Sequence, residues 1–236
     1  MTLPLFYEQS LSGNSSFLLS EETSRHVIQV LRMKKHDHLL LTNGMGQTHT
    51  AEIIMDNRKS CQVKILDAEH IDKPKPQITI AISLLKNKSR FEWFLEKATE
   101  IGVQQIIPLI CERSEKEHFR FDRLNNILIS AMLQSKQSWL PALSEPVRFP
   151  DLVSSTSTPN KFIAHCLEEE KKMLGHEAYH PGDRLILIGP EGDFTKAEID
   201  LAIEKRFIPV SLSTTRLRTE TAGIVACVLL NKMSEP

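Results

Sequence analysis

Apolar residues are arranged in two different ways along this chain. Before residue 70 the runs are short and interrupted: 38–42 and 47–55 flank Asn43-Gly44-Met45-Gly46, and 61–66 has alternating apolar positions. Alternation marks half-buried strands, and Asn-Gly between two of them marks a hairpin. Short strands of this kind, closing on themselves, predict a small barrel. Ahead of them, 21–31 reads as a helix, with His26, Val27, Val30 and Leu31 at compatible spacing.

After residue 76 the apolar runs become nearly continuous, at 78–85, 105–111, 161–166, 184–188 and 208–212. Strands covered on both faces of a parallel sheet read this way. Helical periodicity fills the gaps. Phe91, Phe94, Leu95, Ala98 and Ile101 share one face of a helix that ends near Gly102, and Leu124, Ile127, Leu128, Ala131 and Met132 share a face within 121–137. Thr195 and Glu198 have capping-box spacing for a helix over 196–205. Strand alternating with helix predicts an α/β domain. The Pro-containing, charged stretch 68–77 reads as a linker, giving a β-rich domain over 1–70 and an α/β domain over 76–236. A polar loop is expected at 154–159 and a solvated charged loop or helix at 168–172.

Composition narrows the class. Among 236 residues, 41% are hydrophobic and 25% charged, as in an ordinary globular protein. No apolar run approaches the roughly 20 residues that span a bilayer, and the amino terminus has no signal-peptide pattern, so a cytoplasmic location is expected. The net charge of −1 argues against indiscriminate coating of nucleic acid, though it leaves room for a local basic face. Cys61, Cys111, Cys166 and Cys227 are far apart, and none has a close Cys or His partner; free thiols are expected, with neither a disulfide framework nor a metal site.

Two strand exits in the final third carry the chemistry. The first, 184–188, runs into Gly189-Pro190-Glu191-Gly192-Asp193-Phe194, where both glycines are free to take positive φ. The second, 208–212, ends in a polar loop, and Leu217-Arg218-Thr219-Glu220-Thr221-Ala222-Gly223 opens a small-sided apolar helix. Loops at the carboxyl ends of neighbouring strands in such a sheet meet over one crevice, where small ligands bind.

Together, G-P-E-G-D and L-R-T-E-T-A-G resemble the signature segments of the SPOUT methyltransferases. The resemblance is nearest to the ribosomal RNA small subunit methyltransferase E branch, which methylates N3 of a uridine in 16S rRNA. It extends over nearly the whole chain. Arg90, Glu92, Trp93, Lys97, Ala98, Thr99, Glu100 and Gly102 match a long family string, and His26-x-x-x-Val30-Leu31-Arg32 matches a segment of the family's PUA-like RNA-binding barrel. At 134–141 the family pattern is altered: Gln134, Ser135 and Pro141 are kept, but Leu133 stands where an acid is usual, and Lys136 or Ser138 lies near the expected arginine.

The resemblance implies an amino-terminal PUA-like barrel, a SPOUT α/β domain with a deep carboxyl-terminal trefoil knot, and a homodimer acting on 16S rRNA of the small subunit. It implies S-adenosylmethionine held at Leu187, Gly189, Glu191, Gly192, Ser211, Leu212, Leu217 and Ala222. RNA contacts are expected from Arg25, His26, Arg32 and Lys34, and from Lys86, Lys88 and Arg90. Arg218 is expected to stabilise the uracil anion. Glu220 is the nearest candidate base, but it could equally be a helix-terminal anion or a partner orienting Arg218. Two alternatives stay open: the same fold with another acceptor, such as a ribose 2′-hydroxyl or a tRNA guanine, and a non-catalytic RNA-binding or ribosome-assembly module. A Rossmann enzyme is disfavoured by the lack of G-x-G-x-x-G.

Overall fold

The computed structural model describes residues 3–11, 15–114, 119–167, 171–176 and 181–232. It divides into two compact units, residues 1–73 with 132–140, and residues 74–131 with 141–236. Part of the charged loop or helix expected at 168–172, residues 168–170, lies outside the described residues, as do 115–116 of the charged segment 112–116, expected as a loop after the strand at 105–111.

The first unit is built on strands β1 (Leu5–Tyr7), β2 (Ser16–Leu18), β3 (His38–Thr42), β4 (Gln47–Met55) and β5 (Gln62–His70), in sheet order β1-β3-β4-β5-β2. The β1–β3 pair is parallel and the others are antiparallel. The expected hairpin is present: Thr42 pairs with Thr48, and the turn uses Gly44 and Gly46 at φ +69° and +85°. A Cβ on Gly46 would also stand 2.5 Å from the Ile71 carbonyl, so that position is closed by space as well as by backbone conformation. Inward positions Leu39, Leu41, Ala51, Ile53 and Val63 form the core with Val27. Strand β5 continues to His70, so the connecting segment is shorter than its composition predicts. The segment after residue 134 belongs to this unit, where Trp139 Nε1 donates to the Ile71 carbonyl at 2.8 Å.

The helix expected over 21–31 is divided. Helix α1 (Glu21–Arg25) is capped by the Ser20 hydroxyl, which accepts from Thr23 N–H. It widens into a π turn over His26–Val30, closed by Leu31 N–H donating to the His26 carbonyl at 3.0 Å. The wider turn rotates the following residues off the expected face. Val27 is fully buried, whereas Val30 and Leu31 are 65% and 44% exposed.

The second unit carries an all-parallel sheet. Its strands are β6 (Ile78–Ser83), β7 (Gln105–Ile110), β8 (Ala142–Leu143), β9 (Val147–Arg148), β10 (Asn160–Ala164), β11 (Lys172–Met173), β12 (Arg184–Ile188) and β13 (Ile208–Ser211). The order is β11-β13-β10-β12-β6-β7-β8, with β9 also on β7. Helix α2 (Lys88–Ile101) starts at the Asn87 cap and ends at Gly102, whose φ of +93° makes the left-handed stop that only glycine adopts cheaply. Helix α3 (Phe121–Gln134) follows β7, and α4 (Phe149–Ser155) follows β9, taking in part of the predicted polar loop. Helix α5 (Lys196–Glu204) has the full Thr195/Glu198 capping box, and α6 (Thr219–Lys232) ends the described chain.

One face of the sheet is packed by α4 and α5 through Phe149, Leu152, Val153, Ile199 and Ala202. The other is covered by α6, which also lies along α2. Every residue of β12 is therefore buried, which is why its sequence is an unbroken apolar run after Arg184. Arg184 is 1% exposed, and its guanidinium donates to the Leu230 carbonyl, joining the start of β12 to the end of α6. No helix among the described residues is long and apolar enough to cross a membrane.

Candidate functional site

The carboxyl ends of β10, β12 and β13 open onto one cleft. The two exits singled out from sequence are not on adjacent strands, because β10 lies between β12 and β13. Its exit, Ala164-His165-Cys166, supplies a third wall. Two adjoining cavities, about 360 Å³ and 440 Å³, share Ala164, Cys166, Arg216, Leu217 and Ala222. The smaller adds Ser211, Leu212 and Lys171; the larger adds Gly189, Glu191, Arg218 and Arg90.

Hydrogen bonds fasten these walls to the β12 exit. Asp193, at φ +63°, accepts from Cys166 N–H at 2.8 Å through one carboxylate oxygen and from its neighbour Phe194 N–H at 2.9 Å through the other. The Thr219 hydroxyl donates to the Gly189 carbonyl at 3.0 Å. Arg113, beyond the end of β7, donates to the Gly192 carbonyl at 2.7 Å. The left-handed residue in this turn is Asp193, one of the few non-glycine types that tolerate it. Gly189 and Gly192 are not at positive φ, contrary to what their identity allows. At Gly189 the reason for glycine is space: a Cβ would lie 3.1 Å from the Phe194 ring and 3.3 Å from its nitrogen.

Of the positions expected to hold a cofactor, Gly189, Glu191, Ser211, Leu212, Leu217 and Ala222 line the cleft. Leu187 does not; its side chain is fully buried in the sheet core. Gly192 is exposed and held by Arg113. Arg218 is exposed on the larger cavity. Glu220, in the first turn of α6, is only 6% exposed, and its Oε2 has no hydrogen-bond partner. Its ion-pair partner is Arg90, with Nε 3.6 Å from Oε1; it does not orient Arg218. Arg90 also reaches Glu191 at 3.2 Å, so α2 is tied to both exits.

The other expected RNA contacts fall into two groups. Arg25, His26, Arg32 and Lys34 are exposed on the first unit. Arg25 pairs with Glu21 at 3.0 Å, His26 stands edge-on to Phe6, and Arg32 has φ +56°. Lys86 and Lys88 are exposed on the second unit and line an open hollow with Asn87, Arg90 and Glu191.

Sequence reasoning passed over Cys166, Lys171, Asp193 and Arg216 as site residues. Asp193 lies in the β12 exit and Arg216 in the polar loop of the second exit, both singled out from sequence without a role for these two side chains. Only the position of 161–166 as a strand hinted at Cys166, and Lys171 falls in the stretch expected to be solvated. Cys166 is the exposed cysteine, while Cys61, Cys111 and Cys227 are buried. Desolvation by the cavity walls, then the Asp193 charge, pushes the Cys166 thiol up, and Arg216 and Lys171 oppose this.

Residues 72–231 match the family of RNA methyltransferase domains, and residues 19–66 match the RNA methyltransferase PUA domain. The fold and cleft thus define an RNA methyltransferase of PUA-bearing type. A Synechocystis ribosomal RNA small subunit methyltransferase E is 32% identical over 217 residues, covering 89% of this chain and 71% of that protein. A crystal structure described as a probable rRNA-methyltransferase from Porphyromonas gingivalis superposes with TM-score 0.92 at 38% identity, covering 98% of both chains. The Neisseria gonorrhoeae ribosomal RNA small subunit methyltransferase E, solved bound to S-adenosyl methionine, superposes at 0.88 with 29% identity, again over 98% of both chains. The chain belongs to the ribosomal RNA small subunit methyltransferase E family.

Proposed function

We propose that this protein methylates N3 of a uridine in 16S rRNA of the small ribosomal subunit, using S-adenosylmethionine. The observation that carries this reading is the cleft itself, where exposed Arg218 and buried Glu220 stand on one helix start beside a cavity walled by small residues and backbone. Gly189, Ala164 and Ala222 leave room for a flat ring system to approach main-chain donors and acceptors. The bound cofactor supplies the electrophilic methyl group.

The chain's own residues act on the acceptor. Uracil N3 must lose its proton before it can attack, and the resulting charge spreads to the flanking carbonyl oxygens. Arg218 stays protonated and donates to those oxygens as charge develops. Glu220 is the nearest carboxylate for the proton, with Oε2 buried and without a hydrogen-bond partner and Oε1 paired to Arg90; its other reading is that of a helix-start anion. Ser211, Leu212, Leu217 and Ala222 hold the cofactor on one side, and Gly189, Glu191 and Gly192 on the other. Leu187 contributes only backbone, since its side chain is committed to the core. Arg25, His26, Arg32 and Lys34 hold the RNA backbone on the first unit, as Lys86, Lys88 and Arg90 do on the second.

The reading includes three further parts. The carboxyl-terminal chain threads a deep trefoil knot, supported by β10 standing between β12 and β13 and by α6 returning against α2 and β6. The active species is a cytoplasmic homodimer; sedimentation of the active enzyme at the 26.9 kDa of one chain would remove the dimer. The test of the whole is transfer of labelled methyl from S-adenosylmethionine to unmodified small subunits, followed by digestion. Label in 3-methyluridine is expected. Label in another nucleoside moves the acceptor, and neither label nor cofactor binding would favour a non-catalytic assembly module.

A further inference from the structure

Outside the cleft, the second unit has another cavity, of about 290 Å³, between the start of α2 and the start of α3. Its walls are apolar, formed by Leu84, Leu85, Phe91, Phe119 and Leu124. Three of them, Leu85, Phe91 and Leu124, are buried at 8% exposure or less, so the floor is fixed by the core. The rim is cationic: Lys88, Arg120 and Arg123. Among the described residues that line it, the one carboxylate, Glu92, is held by Arg123 through two hydrogen bonds of 2.6 and 3.0 Å. That pairing depresses the Glu92 carboxyl, chiefly through the hydrogen bond from Arg123.

This cavity is connected to the cleft. The open hollow lined by Lys86, Asn87, Lys88, Arg90 and Glu191 shares Arg90 and Glu191 with the larger cleft cavity and Lys88 with the apolar one. Lys88 and Arg90 are two residues apart on α2, so their side chains leave the axis about 200° apart with a rise of about 3 Å. The first turn of α2 thus joins the cleft to the apolar cavity, with Arg90 on the cleft side paired to Glu191 and Glu220. A single strand following it would pass its backbone over Lys86 and Lys88, which line the hollow.

We infer that the apolar cavity is a subsite for an unstacked RNA base neighbouring the methylated nucleotide, an assignment that rests on the RNA methyltransferase reading above. The cavity is at the small end of the roughly 300–1,000 Å³ typical of small-molecule sites, which suits one base rather than a folded protein segment. An aromatic and aliphatic wall with a guanidinium rim is the chemistry that accepts splayed bases of single-stranded RNA. The base lies against Phe119 and Leu124, and Arg120 meets the attached phosphate.

The test uses the full-length protein with unmodified small ribosomal subunits. Phe119→Ala and Arg120→Ala change residues at the rim, and Ser89→Trp fills the cavity from an exposed position. Each is expected to raise KM for the subunit about tenfold, with S-adenosylmethionine affinity within twofold of wild type. A photoreactive phenylalanine at position 119 is expected to cross-link within a few nucleotides of the methylated one. If wild type transfers methyl normally but all three variants keep KM within twofold and no nearby cross-link forms, the subsite is wrong. A change in sedimentation in Ser89→Trp or Arg120→Ala, without a KM effect, would make the cavity a contact between two copies and overturn it. A wild-type chain that transfers no methyl to the subunit counts instead against the function on which the subsite rests.

Discussion

The Thr219 hydroxyl donates to the Gly189 carbonyl across 30 residues of sequence, and the bond is buried. It locks the α6 start, which carries Arg218 and Glu220, to the turn that leaves β12. Thr219→Val keeps the shape but leaves that carbonyl unsatisfied. The expected loss is about 1–3 kcal/mol of stability, with weaker S-adenosylmethionine binding, measured by denaturant unfolding and calorimetric titration. Unchanged affinity would mean the two walls hold together without this bond.

Arg218 and Glu220 should separate by kinetics. Arg218→Ala is expected to lower kcat about 10²–10³-fold while leaving cofactor affinity intact, because the side chain acts on charge that exists only during transfer. Near-normal turnover would remove that role. Glu220→Gln is expected to lower kcat about 10²-fold while leaving cofactor affinity intact. If Glu220→Gln and Arg90→Ala instead lose stability together and Glu220→Gln keeps its turnover, Glu220 serves only as the partner of Arg90.

Gly223 should not tolerate a side chain. A Cβ there would lie 2.6 and 2.9 Å from atoms of the Phe94 ring, which is fully buried and has nowhere to move, and 3.0 Å from Ile82. Gly223→Ala gains helix propensity but is expected to lose a net ~1–3 kcal/mol through overpacking. A thermal unfolding temperature equal to or above wild type would show that the α2–α6 contact can open.

Cys166 should be the one thiol that reacts in the native protein. Burial pushes Cys61 up to about 11 and Cys111 and Cys227 up to about 12, so these stay protonated and shielded. Cys166 is accessible but also shifted up, so alkylation by iodoacetamide is expected at one site, with a rate still rising above pH ~8.5, the free-thiol value. S-adenosylmethionine should slow it. Modification at full rate with saturating cofactor would place the ligand away from the β10 exit.

The first unit should weaken in mild acid. His49 is 3% exposed, its Nδ1 has no partner, and burial lowers its pKa. Its folded-state value lies below that of the unfolded chain, so stability is complete above the unfolded value of ~6.5 and is lost as pH falls towards the folded one. The slope cannot exceed about 1.4 kcal/mol per pH unit for one proton. Amide exchange in β3 and β4 measured from pH 7.5 to 5.5 should show this loss in wild type and a smaller one in His49→Phe. Equal slopes would exclude His49 as its source.

Local pattern by itself determined much of this protein. The Asn43-Gly44 hairpin signal, continuous apolar runs at β6, β7, β10, β12 and β13, the Thr195/Glu198 box and the Gly102 stop all depend on neighbours within a few residues, and each formed where its pattern predicts. The polar loop before the small, apolar residues from 222 likewise marked a helix start, and α6 begins at Thr219. Tertiary structure alone decided the rest. That β10 stands between β12 and β13 is a choice among long-range pairings that leave no periodicity behind, so Cys166 entered the site unannounced, held there by Asp193. Gly189 is crowded by Phe194 and is not at positive φ. Arg90 looked like one of several loop cations until folding set it between Glu191 and Glu220. In each case the deciding neighbour is distant in sequence or its contact made only by folding, and residue identity carries no record of who that neighbour will be.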